Sequence, residues 1–226
     1  MTDAARTVLF LHGLGAGPES WDAQVRSLGG GLTGLAPRIA GIDGAARTPF
    51  TFDAAADALI AELDARDLDR VHVCGLSLGA MTATQLALDH PGRVASLVLS
   101  GSQVRPNRML MGVQRVVVRS LPRRVAAGMG MTKPDWLAVL RSVADVDVVD
   151  RLGEIAVPTL VLCGSRDAAN LPAARLLAAQ VAGAELQVVP GAGHPWNVQQ
   201  PELFSTTIGE FYRRIGAGDD DGRARP

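Results

Sequence analysis

Short apolar runs recur along the chain, and between them lie longer segments whose hydrophobic side chains return every three or four positions. The runs VLFL at 8–11, VHVCGL at 71–76, VASLVLS at 94–100, VPTLVLCG at 157–164 and LQVVP at 186–190 have the length and β-branched content of buried strands. Residues 20–28, opened by Pro18-Glu19-Ser20, predict a helix; so do residues 52–66, where Ala, Leu and Ile fall on one side and Asp and Glu on the other. A further helix is expected over 78–89, a short strand over 32–37 and a loop over 41–51. The alternation predicts an α/β fold, a doubly wound, mostly parallel sheet of about six strands with helices on both faces. Residues 101–152 interrupt the alternation, and 216–226 (GAGDDDGRARP) carry no apolar side chain beyond alanine and proline. The expected organisation is a core of 1–100 and 153–215, an insertion of 101–152, and a disordered tail of 216–226.

Three polar residues stand just past apolar strands. Ser77 lies in Gly75-Leu76-Ser77-Leu78-Gly79, between a β-type run and a helix-forming stretch, which is the sequence form of a nucleophile elbow. Glycine suits 75 and 79 because a strand turning sharply into a helix brings backbone against backbone. Asp167 follows the run at 157–164, and His194 follows the run at 186–190. In a parallel sheet these strand ends share one edge, where a ligand crevice also forms. A serine hydroxyl needs an imidazole to take its proton and a carboxylate to orient that imidazole, roles that His194 and Asp167 fit. The oxyanion produced by attack needs preorganised donors. The backbone N–H of Leu78 is one candidate, and that of Leu14, in the glycine-rich loop after 8–11, is the second.

These pieces together resemble the α/β-hydrolase superfamily, in a form similar to serine esterases and lactonases. The matching segments are LFLHGLGAGPESW, GLSLGAM, DHPGRVASLVL, VPTLVLCGSRD and GAGHPWNVQQPELF, spread over nearly the whole chain in the family's order. The resemblance implies Ser77 as nucleophile, His194 as base, Asp167 as acid, and Leu14 and Leu78 as oxyanion donors. Serine at 77 departs from the dehalogenase and epoxide-hydrolase branches, which carry aspartate there. Six residues precede the first strand, so the family's N-terminal antiparallel hairpin is expected to be missing. The insertion of 101–152 falls where the family places a cap, here a short one. The implied activity is cleavage of a small, largely apolar carboxylic ester, lactone or thioester through an acyl-enzyme. The same motifs also fit lyases, perhydrolases and cofactor-free oxygenases of the family, or a ligand receptor that keeps the triad.

Composition narrows the picture. With 47% hydrophobic residues, a chain of 226 can bury a core without disulfides or metals, and a formal charge of −1 gives no field for nucleic acid or membrane. Cys74 and Cys163 sit in apolar runs and are expected as buried free thiols; no His or Cys lies at ligand spacing, so neither metal nor cofactor is implied. No signal peptide and no span of roughly 18–20 apolar residues is seen, which points to a cytoplasmic protein. Lys133 is the only lysine against many arginines, a usage that suggests a bacterial source. Oligomeric state stays open.

Several residues are candidates for the substrate pocket: His12 and Gly13 in the oxyanion loop, Trp21 and Trp196 beside the loop and the histidine, Met81 one turn past Ser77, and Met109, Met111 and Trp136 in the cap. His12 is read chiefly as a brace for its loop. Flexible methionines suit a surface that moulds to apolar ligands, and serve equally to glue a cap to a core. Arg108, Arg115 and Arg119 would fall within about 40° of one another on a helix, a stripe that could attract an anionic substrate or simply face solvent.

Overall fold

The structure is a computed structural model in which residues 5–42, 49–107, 112, 116, 118–120 and 132–218 are described. Six strands, β1 (Thr7–Leu11), β2 (Thr33–Leu35), β3 (Val71–Leu76), β4 (Val94–Ser100), β5 (Thr159–Gly164) and β6 (Glu185–Val189), form one parallel sheet in the order β2-β1-β3-β4-β5-β6. The chain leaves β1 outward to β2 and returns on the other side to β3. In parallel α/β sheets ligands bind outside the carboxyl ends of the strands at such a reversal, here between β1 and β3.

Around the sheet lie α1 (Asp22–Ser27), α2 (Phe52–Asp64), α3 (Leu78–Asp89), α4 (Lys133–Asp145), α5 (Leu171–Gln180), α6 (Trp196–Gln199) and α7 (Pro201–Arg214). Successive strand side chains point to opposite faces, so β1 splits its residues between two cores. Leu9 and Leu11 join Val73, Leu97 and Val161 beneath α2, α3 and α5. Val8 and Phe10 join Cys74, Val98 and Leu162 beneath α7 and the tryptophans 21 and 196. Polar caps set the helix starts: the Thr51 hydroxyl accepts from the Ala54 N–H ahead of α2, and Thr132 does the same for Asp135 ahead of α4.

Four expectations need correction. The helix over 20–28 is split into a 3-10 turn, Pro18–Trp21, and the shorter α1. The strand over 32–37 is only three residues long, because it is an edge strand with little to cover it. β6 is not buried: it closes the other edge, and Leu186 and Val188 are each 37% exposed. The tail does not lose order at 216, since the Ala217 N–H donates to the Tyr212 carbonyl and Gly218 lies against Gly30; residues 219–226 are outside those described.

Of the insertion, residues 112, 116 and 118–120 are helical and α4 follows. Its two ends are clasped: the Val148 N–H donates to the Val104 carbonyl at 3.1 Å, and Arg105 pairs with Asp147 at 2.8 Å. Ser142 of α4 donates to the Phe50 carbonyl, tying the insertion to the segment before α2. Arg108 and Arg115 lie outside the described residues. Among the described residues, no helix is long and apolar enough to cross a membrane.

Candidate active site

Ser77 leaves β3 with φ 55° and ψ −117°, a left-handed conformation that costs about 1–3 kcal/mol in a non-glycine residue. The neighbouring glycines make it achievable. A Cβ at Gly79 would come 2.0 Å from the Leu11 carbonyl oxygen, and one at Gly75 would come 2.5 Å from the Gly79 backbone. Only bare backbone allows α3 to start so close to β1. Ser77 is pinned there by its N–H, which donates to the Ser100 carbonyl at 2.8 Å, and by its own carbonyl, which accepts from the Met81 N–H.

The loop after β1 lies against this turn, with a Cβ at Gly13 placed 3.5 Å from the Ser77 Cβ. Leu78 is the first residue of α3, so its N–H has no helical acceptor. Among the described residues, neither that N–H nor the N–H of Leu14 has a hydrogen-bond partner. His12 holds the loop: its Nδ1 lies 3.0 Å from the Gly13 carbonyl, and its Nε2 accepts from the Ile39 N–H at 3.3 Å. Burial lowers its pKa, so the ring is held neutral, as a tautomer that donates from Nδ1 and accepts at Nε2.

Asp167 and His194 are brought together by interlocked loops after β5 and β6. The Arg166 N–H donates to the Ala192 carbonyl, the Ser165 N–H to the Val189 carbonyl, and the Gly191 N–H to Ser165 Oγ. His194 Nδ1 thereby reaches Asp167 Oδ2 at 2.7 Å. The Asp167 side chain is buried at 7% exposure, whereas that of His194 is 38% exposed. Burial alone would push the Asp167 carboxyl upward; hydrogen bonds from His194 and Asn170 outweigh that cost and leave it below its ordinary value. The ring rests on Gly101 (φ +59°), where a Cβ would come 2.9 Å from Cε1 and Nδ1.

Ser77 and His194 therefore share one support, the Ser100–Gly101 corner at the end of β4. The corner is itself braced, because the Trp196 indole N–H donates to Ser100 Oγ at 3.0 Å. The arrangement has what proton abstraction from a serine requires: an exposed imidazole, an ionised partner on its far nitrogen, and unpaired backbone donors beside the hydroxyl-bearing turn. Among the described residues the site's hydrogen bonds link Gln103, Asn170, Asp167 and His194, and none reaches Ser77 Oγ. Such contacts commonly tighten only when substrate binds. No group of three or more His, Cys, Asp or Glu among the described residues could hold a metal ion.

The pocket candidates divide. Trp136 of α4 lies over the loop after β1, its ring edge 3.7 Å from a Cβ built at Gly15. Met81 is 7% exposed and packs in the core beneath Ser77. Trp21 and Trp196 are corrections: both are fully buried on the opposite face of the sheet, Trp21 edge-on and Trp196 tilted against Phe204, at 5.4 and 4.4 Å between ring centroids. Adjacency to the loop in sequence did not tell which face each indole would take. Met109 and Met111 lie outside the described residues. Sequence reasoning missed Asn170, Gln103 and the Ser100–Gly101 corner. A polar residue three positions past Asp167, in the turn that carries it, was the available signal for Asn170.

Residues 8–207 match the profile of the alpha/beta hydrolase family. Among curated proteins the chain is similar to the pimeloyl-acyl-carrier protein methyl ester esterase of Aromatoleum aromaticum, at 28% identity over 91% of this chain and 98% of that protein. It is also similar to 3-oxoadipate enol-lactonase 1 of Acinetobacter baylyi, at 24% identity over 68% of each chain. Among solved structures, a hydrolase from Pseudomonas aeruginosa superposes with a TM-score of 0.82 at 25% identity, over 92% of this chain and 89% of that one.

Proposed function

Since the chain belongs to the α/β hydrolase family, we propose that it is a serine hydrolase acting on small, largely apolar carboxylic esters, lactones or thioesters. In this reading His194 takes the Ser77 proton as Oγ attacks the acyl carbon. Asp167 keeps the proton on Nδ1, so that Nε2 is the basic nitrogen, and its charge stabilises the imidazolium that forms. The N–H groups of Leu14 and Leu78 receive the oxyanion. His194 then protonates the leaving alkoxide or thiolate, and deprotonates the water that releases the acid.

The observation that carries the reading is the common support: the Ser77 N–H bonds to the Ser100 carbonyl, and Gly101 lies directly under the imidazole. The 2.7 Å Asp167–His194 contact adds to it. The esterase and enol-lactonase relatives favour oxygen esters as the first substrates to try. Trp136 over the oxyanion loop favours an apolar acyl or alcohol group. The test is steady-state hydrolysis of p-nitrophenyl esters from acetate to octanoate by the parent and by Ser77→Ala. Turnover that depends on Ser77, with an optimum in chain length, is expected; turnover that survives Ser77→Ala would refute the reading.

A further inference from the structure

The Asp167 carboxylate does not meet His194 alone. Asn170 Nδ2 lies 2.8 Å from Asp167 Oδ1, 2.9 Å from Oδ2 and 3.1 Å from His194 Nδ1. On its other side Asn170 Oδ1 accepts from Gln103 Nε2 at 2.7 Å, and the same Nε2 donates to the Ala169 carbonyl at 3.1 Å. The direction of this chain is fixed by chemistry. The Ala169 carbonyl can only accept, so Gln103 must present its NH2; Asn170 must then answer with its oxygen, and its NH2 is left facing the carboxylate.

Gln103 sits at the start of the cap, two residues past the Gly101 that supports the imidazole and one before Val104, whose carbonyl is clasped by the far end of the cap. We propose that Asn170 is a positioning residue that holds the Asp167 carboxylate for His194, and that Gln103 sets the Asn170 amide and so links attachment of the cap to the alignment of the acid. The proposal rests on the reading of Asp167 and His194 as an acid–base pair. Both carboxylate oxygens are held by one amide nitrogen, so rotation of the carboxylate away from Nδ1 breaks two further hydrogen bonds. Among the described residues, other titratable groups near Asp167 include the adjoining Arg166, the Cys163 thiol of β5, whose sulfur lies 3.7 Å from the Asp167 carbonyl, and Arg175 of α5, which acts on Cys163.

The test compares Asn170→Ala, Asn170→Ser, Gln103→Glu and the double variant Asn170→Ala with Gln103→Glu, alongside Ser77→Ala, on a p-nitrophenyl ester. A glutamate at 103 keeps the shape but offers only acceptors, so Asn170 turns its NH2 towards it and presents an oxygen to Asp167. Asn170→Ala is expected to lower kcat about tenfold with little change in KM, and Gln103→Glu to do at least as much. In both, the low-pH limb of kcat/KM, which reports proton uptake by the coupled Asp167–His194 pair, moves to higher pH, because a carboxylate that has lost a donor lets the pair take up a proton more readily. In the double variant the effect of Gln103→Glu shrinks, because the part carried by the Asn170 amide is gone and only the through-space effect of the new charge is left.

Unchanged kcat and pH limb in Asn170→Ala and Asn170→Ser would overturn the proposal, as would full multiplication of the two effects in the double variant. If Asn170→Ala folds poorly, Gln103→Glu and Asn170→Ser carry the same readout. Activity that survives Ser77→Ala would instead reject the serine-hydrolase reading itself, so the two failures are distinguishable.

Discussion

β3 and β6 each deliver a proposed catalytic residue from a carboxyl end, yet they hold it by different physics. Every residue of β3 is buried between two neighbours, and Ser77 is forced into its strained turn by backbone contacts that only glycine permits at 75 and 79. β6 is an edge strand with four of its five residues exposed, and His194 is placed by hydrogen bonds and by the floor that Gly101 provides. Steric positioning is stiff and fails together with the fold. Polar positioning is adjustable, and it fails in the chemistry while the fold survives.

The largest effect should separate chemistry from fold at the central strand. Ser77→Ala should cut kcat by at least about 10⁴-fold in ester assays while the far-ultraviolet circular dichroism stays that of the parent. Asp167→Asn should approach the same loss, about 10⁴-fold, because the amide no longer holds the proton on Nδ1. Gly79→Ala, in the first turn of α3 just past that strand, acts on folding: a Cβ 2.0 Å from the Leu11 oxygen should cost more than about 4 kcal/mol in urea denaturation, or abolish soluble expression. A stable, folded Gly79→Ala would break the comparison outright.

Smaller effects sharpen it. The central strands carry two buried imidazoles, His12 just past β1 and His72 within β3, and burial lowers the pKa of each from 6.5. The unfolded chain therefore binds more protons than the folded one below about pH 6.5, so stability falls as the pH drops through that value towards the folded pKa values. Urea midpoints measured at about pH 7 and about pH 5.5 should show a loss of up to about 1 kcal/mol per histidine. Trp196→Phe removes the indole N–H that braces Ser100 and should cost about 1–2 kcal/mol, with a fall in kcat as the shared corner loosens. At the exposed edge, Leu186→Lys should change stability by less than about 0.5 kcal/mol and leave ester turnover alone.

The same contrast explains what could be read from the residues. The elbow was legible because its glycines and its buried strand are local features with one physical meaning. Asp167 and His194 were legible as residues just past apolar runs, which in a parallel sheet lie along one edge. The exposure of β6 was not, since LQVVP has the composition of a buried strand and only its place at the edge leaves Leu186 and Val188 in water. The faces of Trp21 and Trp196 were likewise set by packing against Phe10 and Phe204 rather than by proximity along the chain. Asn170 and Gln103 stand 67 residues apart, and their contact exists only once the start of the cap is laid beside the loop after β5.

The central claim is that Ser77 carries the acyl group. Rapid-quench intact mass spectrometry of the parent and of Ser77→Ala, each mixed with excess p-nitrophenyl butyrate, tests it most directly. The account predicts that the parent gains one butyryl group, mapped to Ser77, at a rate no slower than turnover, and that Ser77→Ala gains none. Turnover without any acylated parent, or acylation that persists in Ser77→Ala, would contradict it.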